Sequence, residues 1–139
     1  MEIRPFKADD ESAVIELWNQ CDLLRPWNDP RRDIQRKLSV NPELFLVGLT
    51  QGTIVATVMA GYEGHRGWIN YLAVSPECQR QGLGREIMEA AEQRLRQLGC
   101  PKINLQVRTT NQSVIDFYQQ LGFKIDDVVS LGKRLEHDC

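Results

Sequence analysis

Residues 68–85, WINYLAVSPECQRQGLGR, set the terms for reading the rest of the chain. An apolar run ends at Ser75-Pro76, and a short polar segment leads through Gln79 and Gly82-Leu83-Gly84 into a stretch of helical periodicity. Strand, glycine turn and helix N-terminus together form an arrangement that holds anions. The first N–H groups of a helix have no acceptor inside it, and glycine lets a phosphate approach the backbone. Three chemistries compete for this turn. A nucleotide-hydrolysing P-loop requires a Lys-Ser or Lys-Thr pair, and none lies nearby. A dinucleotide fingerprint requires a third glycine where Ile87 stands. What remains is a pyrophosphate site built from the amides of Arg80, Gln81, Gly82, Leu83, Gly84 and Arg85, with charge from the two arginines. The competing reading is a plain glycine turn carrying two exposed arginines.

The second signal lies downstream, at Asn111, Phe117-Tyr118 and Gly122-Phe123. Tyr118 follows Asn111 by about two helical turns, so one helix face carries both. Read alone, Tyr118 fits a core tyrosine with a hydrogen-bonded hydroxyl.

The intervening and flanking segments supply a scaffold. A short strand over 2–5 precedes a helix capped by Asp9 or Asp10, with Val14, Leu17, Trp18 and Cys21 on one face. CDLLRPWNDP is a loop, and Asp29-Pro30 starts a second helix, apolar at Ile34 and Leu38. Residues 43–49 and 53–60 read as a hairpin about Thr50-Gln51-Gly52, and 61–67 as a flexible, glycine-rich connection. The long helix over 83–98 carries a stripe of Ile87, Ala91, Leu95 and Leu98, with Met88 beside it. A strand over 103–108, a helix opened by Asn111, and strands over 123–125 and 128–135 follow. The expected fold class is α/β (α+β), a mixed sheet in a single domain spanning 1–139.

Composition removes several function classes. The chain has 139 residues, 42% of them hydrophobic, and a formal charge of −2. That balance and the lack of a basic patch argue against nucleic acid as partner or substrate. No apolar run is long enough to span a bilayer, and the opening MEIRPFKADD is no signal peptide, so the expectation is a cytoplasmic protein without membrane attachment. Cys21, Cys78, Cys100 and Cys139 are scattered and His65 and His137 isolated, so no metal site is expected. Cys78, beside the glycine turn, is the one thiol placed to be activated by a helix N-terminus.

Taken together, Q-x-x-G-x-G after a strand and the later N-x5-F-Y-x3-G-F stretch resemble the Gcn5-related (GNAT) N-acetyltransferases. The resemblance follows the order of elements along the whole chain, and its motifs lie within 68–123. It implies the acyl-CoA N-acyltransferase fold: a mostly antiparallel sheet splayed in the middle, helices on both faces, and acetyl-CoA in the gap. It implies that backbone at Leu72, Ala73 and Val74 pairs with the pantetheine arm and that the amides of Arg80 to Arg85 hold the pyrophosphate. It places Asn111 beside the cofactor and makes Tyr118 the acid that protonates the departing thiolate. The implied function is N-acetylation of a primary amine, on a small molecule or a peptide, by direct attack in a ternary complex. The implied protein is a monomer or homodimer.

These roles suit the residue types. A strand N–H near Leu72 stabilises a developing oxyanion, and a tyrosine can donate to a thiolate of comparable basicity. The base is less clear. Related ribosomal-protein alanine acetyltransferases carry a Glu twelve residues before the Tyr, where this chain has Gln106, which cannot take a proton. Candidates are Glu63, His65, or a water near Asn70 and Tyr71. Arg25, Trp27, Glu63, His65 and Arg66 are the expected acceptor contacts. Gln106 also keeps open a non-catalytic acyl-CoA-binding or sensing module.

Overall fold

The computed structural model describes residues 1–138. Its central feature is β4 (Gly67–Val74), flanked by β3 (Thr53–Tyr62) and β5 (Ile103–Leu105). With β1 (Glu2–Pro5) and β2 (Phe45–Thr50) they form one sheet in the order β1-β2-β3-β4-β5. Every neighbouring pair is antiparallel except β4 and β5, which run parallel. The β4–β5 pairing covers only Gly67–Ile69 against Ile103–Leu105. Beyond Ile69 the edge of β4 that faces β5 has no strand partner, which is the splay the resemblance implied.

Period-two alternation splits the strand residues between two cores. One face packs Leu46, Ala56, Val58 and Ile69 against α3 (Leu83–Gln97) and α4 (Gln112–Gln120). The other packs Phe45, Val47, Met59 and Ala73 against α1 (Glu11–Gln20) and α2 (Pro30–Leu38). Val14, Leu17 and Trp18 bury the inner face of α1. The Asp29 carboxylate caps α2 by accepting from the amides of Arg31 and Arg32. Asp10 behaves differently. It precedes α1, but its carboxylate accepts from Arg4 at 2.7 and 3.0 Å and from the Lys7 amide at 2.8 Å.

A bulge interrupts β4. Thr57 pairs with Ala73 and Met59 with Asn70, so Val58 alone faces Tyr71 and Leu72. Tyr71 takes the left-handed conformation there, with φ of 51°. Tyr71 then packs with the α1/α2 cluster and Leu72 with the α3/α4 cluster, so consecutive residues serve opposite faces.

Four expectations need correction. Residues 61–67 are no loose connection: β3 runs to Tyr62, and the Glu63 carboxylate ties the tip by accepting from the His65 and Arg66 amides. β5 stops at Leu105, because past it the chain loses its β4 partner. Leu98 lies beyond the last turn of α3 and is 49% exposed, leaving Ile87, Met88, Ala91 and Leu95 as the buried stripe. Residues 123–125 and 128–135 form no strands. They meet the outer side of β5 through side chains instead, Asp126 with Lys102 and Asn104, and Ser130 with Gln106. Apolar alternation alone does not provide a backbone ladder.

Candidate functional site

A cavity of about 620 Å³ opens where β4 and β5 separate. Leu72 and Val74 supply the β4 wall, the glycine turn and the start of α3 one end, and Ser113, Val114, Phe117 and Tyr118 of α4 the opposite wall. A larger depression of about 850 Å³ lies along β5 and the C-terminal segment, away from the glycine turn.

The turn has the geometry of an anion cradle. Gly82 is the N-cap of α3 with φ of 80°, and no side chain caps the helix. The amides of the first turn are therefore left for an external acceptor. Arg80 is also left-handed, with φ of 66°. A non-glycine residue in that region costs roughly 1–3 kcal/mol and is characteristic of binding turns. Left-handed residues alternating with others turn successive N–H groups to one side. A Cβ on Gly82 would meet nothing within 4 Å, so the space over the turn is open. Arg85 stays at the rim, 3.7 Å from Glu89. Gly84 serves packing instead: a Cβ there would lie 3.1 Å from the Phe117 ring.

Tyr118 is buried on α4, edge-on to Phe117 and Phe123 with ring centroids 5.1 and 5.5 Å away. Burial pushes its pKa above the ordinary tyrosine value. Its side chain borders both this cavity and the larger depression along β5.

Of the expected cofactor contacts, Leu72, Val74, Arg80, Gly82, Leu83, Gly84 and Arg85 line this cavity. Ala73 does not, being buried in the α1/α2 core, and Gln81 and Asn111 stand outside the lining. Asn111 is the N-cap of α4, one turn from the cavity-lining Ser113 and Val114.

The acceptor candidates separate into two groups. Glu63, His65 and Arg66 form the β3–β4 hairpin tip, at the end of β4 opposite the glycine turn. At ~3.3 Å per strand residue the tip lies roughly 20 Å from Leu72. The structure does not bring them to this cavity. Glu63 is held below the usual carboxylate range by the Arg66 amide, and it serves the turn. Arg25 and Trp27 lie in the α1–α2 loop. Arg25 donates to the Asp22 and Leu24 carbonyls, and the half-exposed Trp27 ring sits 5.5 Å from the Arg108 guanidinium, just past β5. The loop thus reaches across the α1/α2 side of the splay.

The same face holds a group that sequence reasoning missed. The Tyr71 ring stacks on Trp18 at 3.9 Å, and its hydroxyl donates to Asp33 of α2 at 2.6 Å. Nothing local in the sequence joins two residues 38 positions apart. Asp33 also lies 3.3 Å from Arg36, which binds Glu136 and Asp138 of the C-terminal segment. Phe117 was also missed as a cavity wall, although its position beside Tyr118 on an amphipathic helix could have signalled it.

With this geometry in place, comparison with known proteins is direct. Residues 12–123 match the model of the acetyltransferase (GNAT) family. An acetyltransferase of Pectobacterium atrosepticum is 51% identical over 138 residues, covering 99% of this chain and 98% of that protein. The crystal structure of Ard1 from Thermoplasma volcanium superposes with a TM-score of 0.78 at 26% identity, over 90% of this chain and 83% of that one. The ribosomal-protein-S18-alanine N-acetyltransferase of Escherichia coli shares the fold, with a TM-score of 0.75 at 22% identity, over 88% of this chain and 77% of that one. A strand–turn–helix cradle opening into a split sheet, with a family match across that region, makes this chain a member of the GNAT acetyltransferase family.

Proposed function

We propose that this protein is an acetyl-CoA-dependent N-acetyltransferase that passes the acetyl group directly to a primary amine within a ternary complex. One observation carries the reading: the uncapped start of α3 and the Tyr118 side chain line the same cavity. A non-catalytic acyl-CoA-binding module would need the first feature and has no use for the second. The open space over Gly82 and the volume of the cavity suit a pyrophosphate followed by a slender arm.

Acetyl-CoA, when bound, supplies an activated thioester. The chain's own groups do the rest. The first-turn amides of α3, with Arg80 and Arg85 at the rim, hold the pyrophosphate, each charge-assisted contact being stronger than a neutral one. The unpaired edge of β4 at Leu72 and Val74 offers main-chain groups to the pantetheine, and an N–H there stabilises negative charge on the carbonyl oxygen. Holding both reactants in one cleft replaces a bimolecular encounter by an intramolecular one. Tyr118, kept protonated by burial, gives its proton to the departing sulfur.

The test combines binding and turnover. Acetyl-CoA should raise the melting temperature, since a ligand bound only by the folded state stabilises it in proportion to RT ln(1 + [L]/Kd). NAD and ATP should not. CoA release is then followed across a panel of amino acids, peptides and small amines. No thermal shift with acetyl-CoA would refute the donor, and a shift without CoA release from any amine would favour the binding module.

A further inference from the structure

We infer that Tyr71 and Asp33 form the acceptor side of this site, receiving the acceptor's ammonium group and taking its proton. The inference rests on the amine-transfer reading above and supplies the base that Gln106 cannot be.

Four observations place the pair. Tyr71 occupies the bulge of β4, immediately before Leu72 on the cavity wall, and its side chain emerges on the opposite face of the sheet. Donor and acceptor can therefore approach the same backbone position from two sides. Its ring is fixed by stacking on buried Trp18, and its backbone by the Thr57 hydroxyl, which donates to the Tyr71 carbonyl at 2.9 Å. Its hydroxyl proton is committed to Asp33 at 2.6 Å, which leaves the oxygen lone pairs for an incoming N–H. The α1–α2 loop packs Leu23 and Leu24 against the same apolar cluster as Tyr71, so the loop borders this face.

Charge fits the assignment. Asp33 offers a carboxylate to a cation, and its neighbour Arg36 is drawn toward Glu136 and Asp138 at 2.7 and 2.9 Å, closer than the 3.3 Å to Asp33. Gln106, in contrast, points to Ser130 on the outer side of β5. The step is a proton transfer through the tyrosine. An ammonium N–H bond breaks as that proton binds the Tyr71 oxygen, while Tyr71's own proton passes to Asp33. An ammonium and a carboxylate become an amine and a carboxylic acid.

The test uses the full-length protein with two small probes at pH 7: methylamine, which is protonated there, and hydroxylamine, which is not. Asp33→Asn and Tyr71→Phe keep the volume and the ring stack. Both should lower CoA release with methylamine by about a hundredfold, the usual scale of general base catalysis. With hydroxylamine, counted after subtracting the rate without protein, both should lose far less than with methylamine, since its amine needs no deprotonation before attack. The second readout needs no acetyl-CoA. The chain has three tyrosines, so 13C labelling of the tyrosine ring carbon gives three signals, and Tyr71→Phe identifies one. Methylammonium should move that signal in wild type and not in Asp33→Asn. Equal loss with both probes, no loss with either, or an unmoved Tyr71 signal would overturn the pair. Wild-type protein that releases no CoA above background with either probe or with any amine of the panel above, while the Tyr71 signal still moves, would overturn the transfer reading and support the binding pair.

Discussion

The Thr57 hydroxyl donates to the Tyr71 carbonyl at 2.9 Å and accepts from the Trp18 indole at 2.9 Å. This buried chain of polar groups joins α1, β3 and β4 at the bulge of β4. Thr57 is fully buried, so its hydroxyl is there for the contacts it makes.

Thr57→Val keeps the shape and removes both bonds. It leaves the Trp18 N–H without a partner, a loss of about 1–3 kcal/mol. Urea denaturation should show a lower midpoint at unchanged slope. Loosening the bulge should also reduce turnover by more than it reduces acetyl-CoA affinity, which isothermal titration and steady-state kinetics would separate. Thr57→Ser should restore both.

Gly82→Ala tests the anion cradle. With φ of 80° and open space around it, Gly82 would meet backbone strain and no protein clash. Left-handed geometry costs an alanine roughly 1–2 kcal/mol. The added methyl also stands over the turn, so CoA affinity should fall about tenfold, equivalent to ~1.4 kcal/mol. Titration calorimetry with CoA measures this directly, and unchanged affinity would place the phosphates elsewhere.

Gly84→Ala acts through a side chain. Its Cβ would approach Phe117 to 3.1 Å, pressing the ring toward the cavity. Overpacking costs about 1–3 kcal/mol, offset by up to ~1 kcal/mol of helix propensity. Stability should fall by up to about 2 kcal/mol while CoA affinity drops. Adding Phe117→Leu should recover affinity, a non-additivity expected of residues in contact.

Tyr118→Phe should lower kcat about a hundredfold or more, within the range of general acid catalysis, with CoA affinity unchanged. Burial raises the folded-state pKa of Tyr118 above the unfolded value near 10. Its contribution to stability is thus complete below about pH 10 and lost as pH rises through the folded value. Thermal melts across the alkaline range should show this loss in wild type, and a shallower one in Tyr118→Phe.

Much of the fold was legible because it is written in local pattern. Asp29-Pro30 starts α2 with its own carboxylate on the helix amides, and the stripe Ile87–Ala91–Leu95 buries α3 against the sheet. The glycine turn and Tyr118 were legible for the same reason, each lying in a short window with a fixed spacing. What the sequence could not show at the hairpin tip is that two backbone amides occupy the Glu63 carboxylate. The apolar residues of 123–135 misled because alternation indicates strand capacity, and a strand also needs a partner edge.

The sequence by itself determined the parts of the proposed donor side: a strand, a glycine turn and a helix N-terminus are contiguous, and the free amides of that helix start follow from backbone geometry within about twenty residues. Only the tertiary structure decided the pairing of Asp33 with Tyr71. Asp33 and Tyr71 meet because the β4 bulge turns Tyr71 onto the α1/α2 face, where Trp18 holds its ring against α2. Such a convergence depends on packing between distant elements, which no spacing along the chain encodes.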